Sequence, residues 1–464
     1  MENLWKKESN RPKIYVNPFK GIDEEYVEQV FDWLRQPNRR RLRHKIVSQP
    51  IPHDRQLRKR KLTAPIEVPH KQRKVAPKHG NERKGFNRKA PPAFSPKLSF
   101  ARHNQFPDIA KVLDVKHDAK FGRHFIANRN IDVGEIIAVG RPFAEAVVCY
   151  SSSKKFYCLT CKKIGTDFIG CDNCADVKFC SKKCRSLNHA HQLECNSIYH
   201  RIESLEIKLA IQMVLNAIQG FSNADDLIRY FEKLLANNSL CQNGLILSLT
   251  KSSREDNILR AYKAYQCLMN MKSINNLFNS ERTKRFLAHL VLHYLAIIPT
   301  NVWDSELNDE KNFAMRYIYG AMSLFNHNCA PNAFYSIKDN YGYCLTVRPI
   351  KKGEQIFVNY LGDRVEESKA NRQSYIKREW GFVCDCERCK PKSRRFDTRE
   401  MVEDPSWEYI NSHFEDYLFP LGSNPRNRLR DECANFLRRH GNNWTKTLDN
   451  VIKLFILAIT HEKR

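Results

Sequence analysis

Residues 323–332 read Ser-Leu-Phe-Asn-His-Asn-Cys-Ala-Pro-Asn, and residues 353–360 read Gly-Glu-Gln-Ile-Phe-Val-Asn-Tyr. By themselves these stretches prove no activity. An Asn-His pair such as Asn326-His327 is more often structural than catalytic, and a tyrosine that ends a strand, as Tyr360 does, is usually just a strand residue. The weight comes from Cys384-x-Cys386-x2-Cys389, because three thiolates at such spacing need a fourth ligand to close a structural zinc site. Cys329, 55 residues upstream of Cys384, is the candidate. Closing that site brings the first stretch against the second cysteine cluster and walls a pocket with Asn326, His327 and Phe382.

Working outward, short β-like runs flank this region. They fall at Ala333 to Ile337, Tyr343 to Val347 and Gln355 to Asn359, and earlier at Lys111 to Val115, Phe125 to Asn128 and Ile136 to Val139, with Gly or Asp-x-Gly turns between the earlier pieces. Between the two sets, helical periodicity predicts helices over 198–219, 224–236, 255–271 and 280–298. The C-terminal tail carries Leu448, Val451, Ile452, Phe455 and Ile459 at helical spacing and reads as a packing helix, with a cap over the cleft as the alternative. No internal repeat is visible. Together these runs predict an α+β fold.

A cysteine-dense insert interrupts the strands. It reads Cys158-x2-Cys161, Cys171-x2-Cys174, Cys180-x3-Cys184 and His191-x3-Cys195, eight soft ligands within 38 residues. Eight ligands suit two tetrahedral zinc ions, and the i, i+4 spacing of His191 and Cys195 sets both on one helical face. Cys149, Cys241, Cys267, Cys344 and Cys433 have no ligand spacing and read as small buried hydrophobes.

The 464 residues allow roughly three domains. Hydrophobic residues at 42% exclude a chain that is disordered throughout. The formal charge is +27, and the stretch from Asn38 to Lys97, with 19 Lys plus Arg against three acids, carries +16 of it. Eight prolines and few large apolar residues make this stretch a disordered basic arm in our reading, suited to nonspecific contact with nucleic acid or acidic proteins. Arg39-Arg40-Arg41 and Arg58-Lys59-Arg60-Lys61 have the look of nuclear-import or nucleic-acid patches. Ahead of the arm, Asp23 to Leu34 predicts one amphipathic helix that docks on the main body, with Tyr26, Val27, Val30, Phe31 and Leu34 on one side. The N-terminus lacks the apolar core of a secretory signal, and the apolar run Phe286 to Ile298 falls short of the ~20 residues that span a bilayer, so no membrane partner is expected. Sixteen cysteines without an export signal point to metal binding in a reducing compartment.

The insert resembles a MYND zinc finger. That resemblance implies Cys158, Cys161, Cys180 and Cys184 on one ion and Cys171, Cys174, His191 and Cys195 on the other. One residue is missing between Cys184 and His191, which leaves His189 as a weaker rival ligand. The segments around it resemble a split SET domain: Lys120-Phe121-Gly122-Arg123-His124-Phe125-Ile126-Ala127, then Asn-His-x-Cys-x-Pro-Asn at 326–332, Tyr360, and the cysteines at 384–389. With the finger inside the split, the order resembles the SET-and-MYND family of protein-lysine methyltransferases, closest to its fourth branch but with the basic arm where that branch carries tetratricopeptide repeats. The resemblance implies a β-rich split SET domain with an inserted finger, a helical insertion, a post-SET zinc cluster and a helical tail. The corresponding divisions are an arm over 1–100, an N-terminal SET part over 105–157, the finger over 158–195, the helical insertion over 196–300, core SET over 301–380, post-SET over 381–392 and the tail over 393–464.

The resemblance further implies S-adenosyl-L-methionine held by Gly122, Arg123, His124, Asn326, His327, Tyr360 and Phe382, with Phe382 against the adenine, Tyr360 as the catalytic tyrosine and three structural zinc ions. His124 stands where most members have a second glycine, and its side chain is expected to crowd the cofactor's backbone approach. Asn328 replaces the usual serine. Protein substrates with a target lysine, peptide partners of the finger, and residence in nucleus and cytoplasm are the accompanying expectations. The rival reading is an adaptor: a SET-like body without turnover that recruits partners through its finger, in a role such as transcriptional regulation.

Overall fold

The computed structural model describes residues 24–35, 96–149, 155–188, 190–236, 255–307, 310–338, 340–390, 403–413, 423–442 and 444–460. Residues 38–95 of the basic arm, His189 and Cys241 lie outside the described residues. The elements described belong to the unit formed by Met1–Phe31 and Ala93–Arg464.

Small antiparallel sheets build the front of the molecule. A hairpin joins β1 (Leu113–Asp118) to β2 (Gly122–Ala127), with Asp118 facing Gly122 at its tip. The Asp118 carboxylate accepts the backbone N–H of Lys120 at 3.0 Å and of Phe121 at 2.7 Å, an Asx-type turn that Gly122 leaves at φ +62°, a conformation costly for any side chain. The third strand, β3 (Ile136–Gly140), edges a second sheet, and β4 (Ala144–Cys149) leads into the insert. At and within the insert the strands are two residues long among the described residues: β5 (Phe156–Tyr157), just ahead of it, pairs with β6 (Ile164–Gly165), and β7 (Ile169–Gly170) with β8 (Lys178–Phe179).

Numbering helices along the chain, α1 is Glu24–Arg35, and the insert adds α2 (Lys182–Ser186) and α3 (His191–Glu194). The helical block follows as α4 (Leu205–Ile218), α5 (Ala224–Ala236), α6 (Glu255–Met269), α7 (Lys272–Leu277) and α8 (Glu281–Asn301). Ser280 caps α8 with its side chain and Thr283 answers in a capping box, while Leu287, Leu290, Val291 and Tyr294 are buried. The predicted helix at the N-terminus forms and docks: Val27 and Val30 are buried, the Phe31 ring meets Tyr265 edge-on, and Arg285 pairs with Glu28 at 2.6 Å. The side chains of Tyr26 and Leu34 lie outside the described residues.

After α8 the chain enters β9 (Val302–Leu307) and β10 (Glu310–Ile318), and β10 pairs with β4 to make a three-stranded sheet. Next come β11 (Asn326–His327), β12 (Ala333–Lys338), β13 (Tyr341–Thr346) and β14 (Phe357–Val358). Strand β13 sits between β12 and β3, and β11 runs parallel to β14, which ties Asn326-His327 to the segment ending in Tyr360. The chain continues through α9 (Lys369–Trp380), α10 (Pro405–Ser412), α11 (Ser423–His440) and α12 (Lys446–Thr460). Leu448, Val451 and Phe455 bury against Val133, Leu345 and Val347, so the tail is a packing element on the sheet.

The fold is α+β. Two expectations need correction. Cys149 is exposed rather than buried, because it is the last residue of β4, while Cys267, Cys344 and Cys433 are buried. The sheet β4-β10-β9 was not anticipated, although Phe313, Met315 and Tyr317 recur at every second position and are buried. Among the described residues no helix is long and apolar enough to cross a membrane.

Candidate functional site

The β1–β2 hairpin tip, β11 and the loop after α9 converge on one cleft. Asn326 Nδ2 donates to the Phe121 carbonyl at 3.0 Å, fixing the hairpin tip to β11. His327 is buried, its Nδ1 accepting the Tyr360 N–H at 3.0 Å while its Nε2 lies 3.2 Å from Cys329 Sγ. Burial holds this imidazole neutral, its pKa pulled down to about 4. Phe382 is exposed, with its ring 6.3 Å from that of His327. Across the cleft, Lys120 Nζ reaches Asp385 at 2.9 Å, so a surface ion pair links hairpin tip and cysteine loop.

His124 is 2% exposed, with its Nδ1 3.0 Å from the Gly122 carbonyl, its Nε2 3.7 Å from the Asp118 carboxylate and its ring 5.8 Å from that of Phe121, so its side chain is held within the hairpin tip. A Cβ built on Gly122 meets nothing within 4 Å, leaving open space beside the backbone at that point.

Tyr360 stands between this cleft and a cavity. Its hydroxyl donates to the Phe325 carbonyl at 2.6 Å, and burial, with the Tyr335 phenol nearby, raises its pKa above the ordinary range. The cavity, of about 40 Å³, is lined by Trp303, Phe325, Tyr335, Tyr360 and Trp380 with Ser323 and Asn301 among its polar groups. The rings of Trp303 and Tyr335 lie 4.3 Å apart, and those of Tyr360 and Trp380 5.3 Å apart. Sequence reading missed Trp303, Tyr335 and Trp380, since each comes from a different element and none carries a motif.

The sulfur ligands gather in three sets, Cys158/Cys161/Cys180/Cys184, Cys171/Cys174/His191/Cys195 and Cys329/Cys384/Cys386/Cys389, each with its ligand atoms within 4.8 Å of one another. Zn–S bonds of about 2.3 Å set tetrahedral neighbours about 3.8 Å apart. The distances fit: 3.5 Å for Cys161–Cys180 and Cys180–Cys184, 3.9 Å for Cys171–Cys195, and 3.8 and 3.6 Å from Cys329 to Cys384 and Cys389. His191 Nε2 lies 3.5 Å from Cys174 Sγ. Hydrogen bonds from the neighbouring thiols, joined by Arg372 Nη2 at 3.4 Å, hold the Cys389 thiol well below its usual range, toward the metal-binding thiolate. His191 also groups with Glu194 and His200, a buried polar backing where His200 Nε2 and the Glu194 carboxylate are 3.5 Å apart.

With this geometry in hand, comparison with known proteins is informative. The SET domain family model matches residues 122–361, half of the chain. A SET and MYND domain-containing protein of Dictyostelium discoideum is 25% identical over 361 residues, covering 63% of this chain and 83% of that protein. The human histone-lysine N-methyltransferase SMYD3 is 22% identical over 285 residues, 60% of this chain and 61% of its own. Among solved structures, Rubisco LSMT bound to sinefungin and monomethyllysine shares 10% identity over 75% of this chain and 85% of that one at a TM-score of 0.30, too loose a likeness to carry an inference. The matched residues begin at the Gly122 turn and end beside Tyr360, spanning the insert with its two ligand sets: the chain belongs to the SET domain family, in its SET-and-MYND branch.

Proposed function

We propose that the protein is a protein-lysine N-methyltransferase that uses S-adenosyl-L-methionine. The observation that carries this reading is Tyr360, whose hydroxyl end abuts the aromatic cavity while its backbone is hydrogen-bonded to His327 in the cleft. The cleft fits the cofactor: open space beside Gly122, exposed rings at Phe121 and Phe382 suited to stacking on a base, and Asn326 and His327 fixed between them. In this reading Gly122, Arg123, His124, Asn326, His327, Tyr360 and Phe382 hold it. When bound, the cofactor supplies an electrophilic methyl group on a sulfonium.

The chain's own residues must then deliver a neutral amine. A lysine with pKa near 10.4 is only about 0.1% neutral at pH 7.4. Trp303, Tyr335, Trp380 and Tyr360 would strip water from its ammonium, which lowers that pKa, and the Tyr360 hydroxyl, aimed by the Phe325 carbonyl, would orient the amine in line. Three zinc ions, one per ligand set, would have purely structural roles, since no set keeps an open coordination position. Histone and non-histone proteins are both candidate substrates, and short peptides would be partners of the finger. Residence in nucleus and cytoplasm is part of this reading, with the basic runs at 39–41 and 58–61 in favour of nuclear import. The alternative is the adaptor, to which the absence of cofactor binding by the folded protein would point.

The test is calorimetric titration of the zinc-replete protein with S-adenosyl-L-methionine, beside Phe382→Ala and Asn326→Ala, followed by a substrate screen with Tyr360→Phe. Saturable binding lost in the two variants is expected, with methyl transfer reduced by about 10²-fold or more in Tyr360→Phe. A folded protein that binds no cofactor would overturn the reading.

A further inference from the structure

We infer that Arg348 is a positioning residue through which the C-terminal helices set the cysteine loop at 384–389, and with it the wall of the cofactor cleft. The inference rests on the reading of that cleft given above. Arg348 follows β13 and is buried. Its Nε donates to the Gly441 carbonyl just beyond α11, and its Nη1 donates to the Ala330 carbonyl at 3.0 Å and to Glu387. Ala330 adjoins the ligand Cys329, and Glu387 lies between the ligands Cys386 and Cys389. One guanidinium thus joins both halves of the third ligand set to the end of a helix that touches neither cofactor nor substrate residues.

Further contacts tie the same pieces together. The second oxygen of Glu387 accepts the Trp444 N–H at 3.1 Å, and the Arg388 guanidinium sits 4.6 Å from the centre of the Trp444 ring. Glu366, six residues after Tyr360, accepts Lys446 Nζ at 2.8 Å and Lys453 Nζ at 2.6 Å from α12 and pairs with Arg388 at 3.2 Å. The junction is also closely packed: a Cβ added at Gly441 would lie 2.4 Å from the Leu437 carbonyl and 2.6 Å from Pro349 Cδ. Phe382 enters the cysteine loop two residues before Cys384, so a shift of the loop moves that cleft wall directly.

Physically, loss of Arg348 leaves the Ala330 and Gly441 carbonyls without their donor and frees the loop to drift from the helices. Lysine cannot span acceptors on three segments as the planar guanidinium does. Partners just outside a metal's ligands change metal affinity or activity by roughly 10–100-fold when lost, so the effect belongs on cofactor affinity and loop order rather than on the chemical step.

The full chain, zinc-loaded, serves for the experiment, as wild type, Arg348→Ala, Arg348→Lys and Lys446→Ala/Lys453→Ala. Each is measured by calorimetry with S-adenosyl-L-methionine and by hydrogen exchange over 384–390 against 158–195. For Arg348→Ala we expect cofactor affinity lower by about tenfold and faster exchange confined to 384–390, with turnover at saturating cofactor within about threefold of wild type. Arg348→Lys should recover part of the affinity, and the surface pair should show a smaller change in the same direction. Unchanged affinity and unchanged exchange at 384–390 in the folded variants would overturn the inference. Should Arg348→Ala fail to fold, Arg348→Lys and the surface pair decide it by the same readouts. Should wild type bind no cofactor, the proposed function falls, and the exchange comparison alone decides whether Arg348 holds the loop.

Discussion

The insert and the cysteine loop at 384–389 use one chemistry for different ends. In the insert, eight ligands lie within 38 residues, the strands are two residues long, and the helices are five and four residues long. Its fully buried apolar side chains are Cys158, Val177 and Phe179. So small a core cannot offset the ordering entropy of the segment, and helices of one turn are not stable alone. The Cys329 site draws its ligands from stretches 55 and 60 residues apart, all four buried, beside a core that includes Phe106, Phe125, Phe325 and Tyr319. Metal in the insert would make the fold. Metal at Cys329 would align loops of a domain that folds around its own apolar residues.

The sharpest way to break this contrast is to remove metal. With Cys174→Ser, or a chelator at neutral pH, the second ligand set loses a zinc contribution of the order of 10–16 kcal/mol, as structural zinc provides in isolated fingers. We expect amide protection over 158–195 to vanish while α4 and α8 keep theirs, read by hydrogen exchange. Surviving protection across the stripped insert would mean that its docking contacts, such as Lys162–Glu145 at 2.8 Å and Arg201–Asp176 at 3.1 Å, hold it without metal. A smaller effect comes from Cys386→Ser: the main unfolding transition persists, and cofactor affinity falls by roughly 10–100-fold. A collapse of the whole SET core in that variant would erase the distinction.

The two regions also differ in how far they could be read from sequence. The insert was legible because its ligands are local, and spacing alone encodes a knuckle. The Cys329–Cys384 closure was legible only because three thiolates lacked a fourth. The aromatic cavity was not legible: Trp303 on β9, Tyr335 on β12, Tyr360 after β14 and Trp380 at the end of α9 meet through the pairing of β9 with β10, of β12 with β13 and of β14 with β11, and no local pattern records which strands pair. His124 shows the same limit from the other side. Its departure from glycine is visible in sequence, but whether it obstructs depends on the face of β2 it occupies. Arg348 carries no motif at all, and only the meeting of Ala330, Glu387 and Gly441 gives it significance.

A third arrangement, with no metal in it, sharpens the contrast by the smallest effect. Asp404, at the start of α10, is buried and accepts two hydrogen bonds from Arg439 at 2.7 Å and one from His440 at 2.7 Å. Burial would raise its pKa, but these partners more than reverse that and bring it down to about 2. A carboxylate depressed in the folded state stabilises fully above its unfolded value near 3.9, and that stability drains away as pH falls from about 4 toward 2. The amount is on the order of 1–2 kcal/mol after allowing for solvent screening. Thiolate sites also shed metal on acidification, so wild type alone would mix the two causes. The difference between wild type and Asp404→Asn separates them: the variant should be less stable at pH 7 by that amount, with the gap closing between pH 4 and 2, in denaturant titrations followed through Trp407. A gap that instead closes above pH 5 would assign the acid response to the thiolate sites and leave Asp404 a neutral cap.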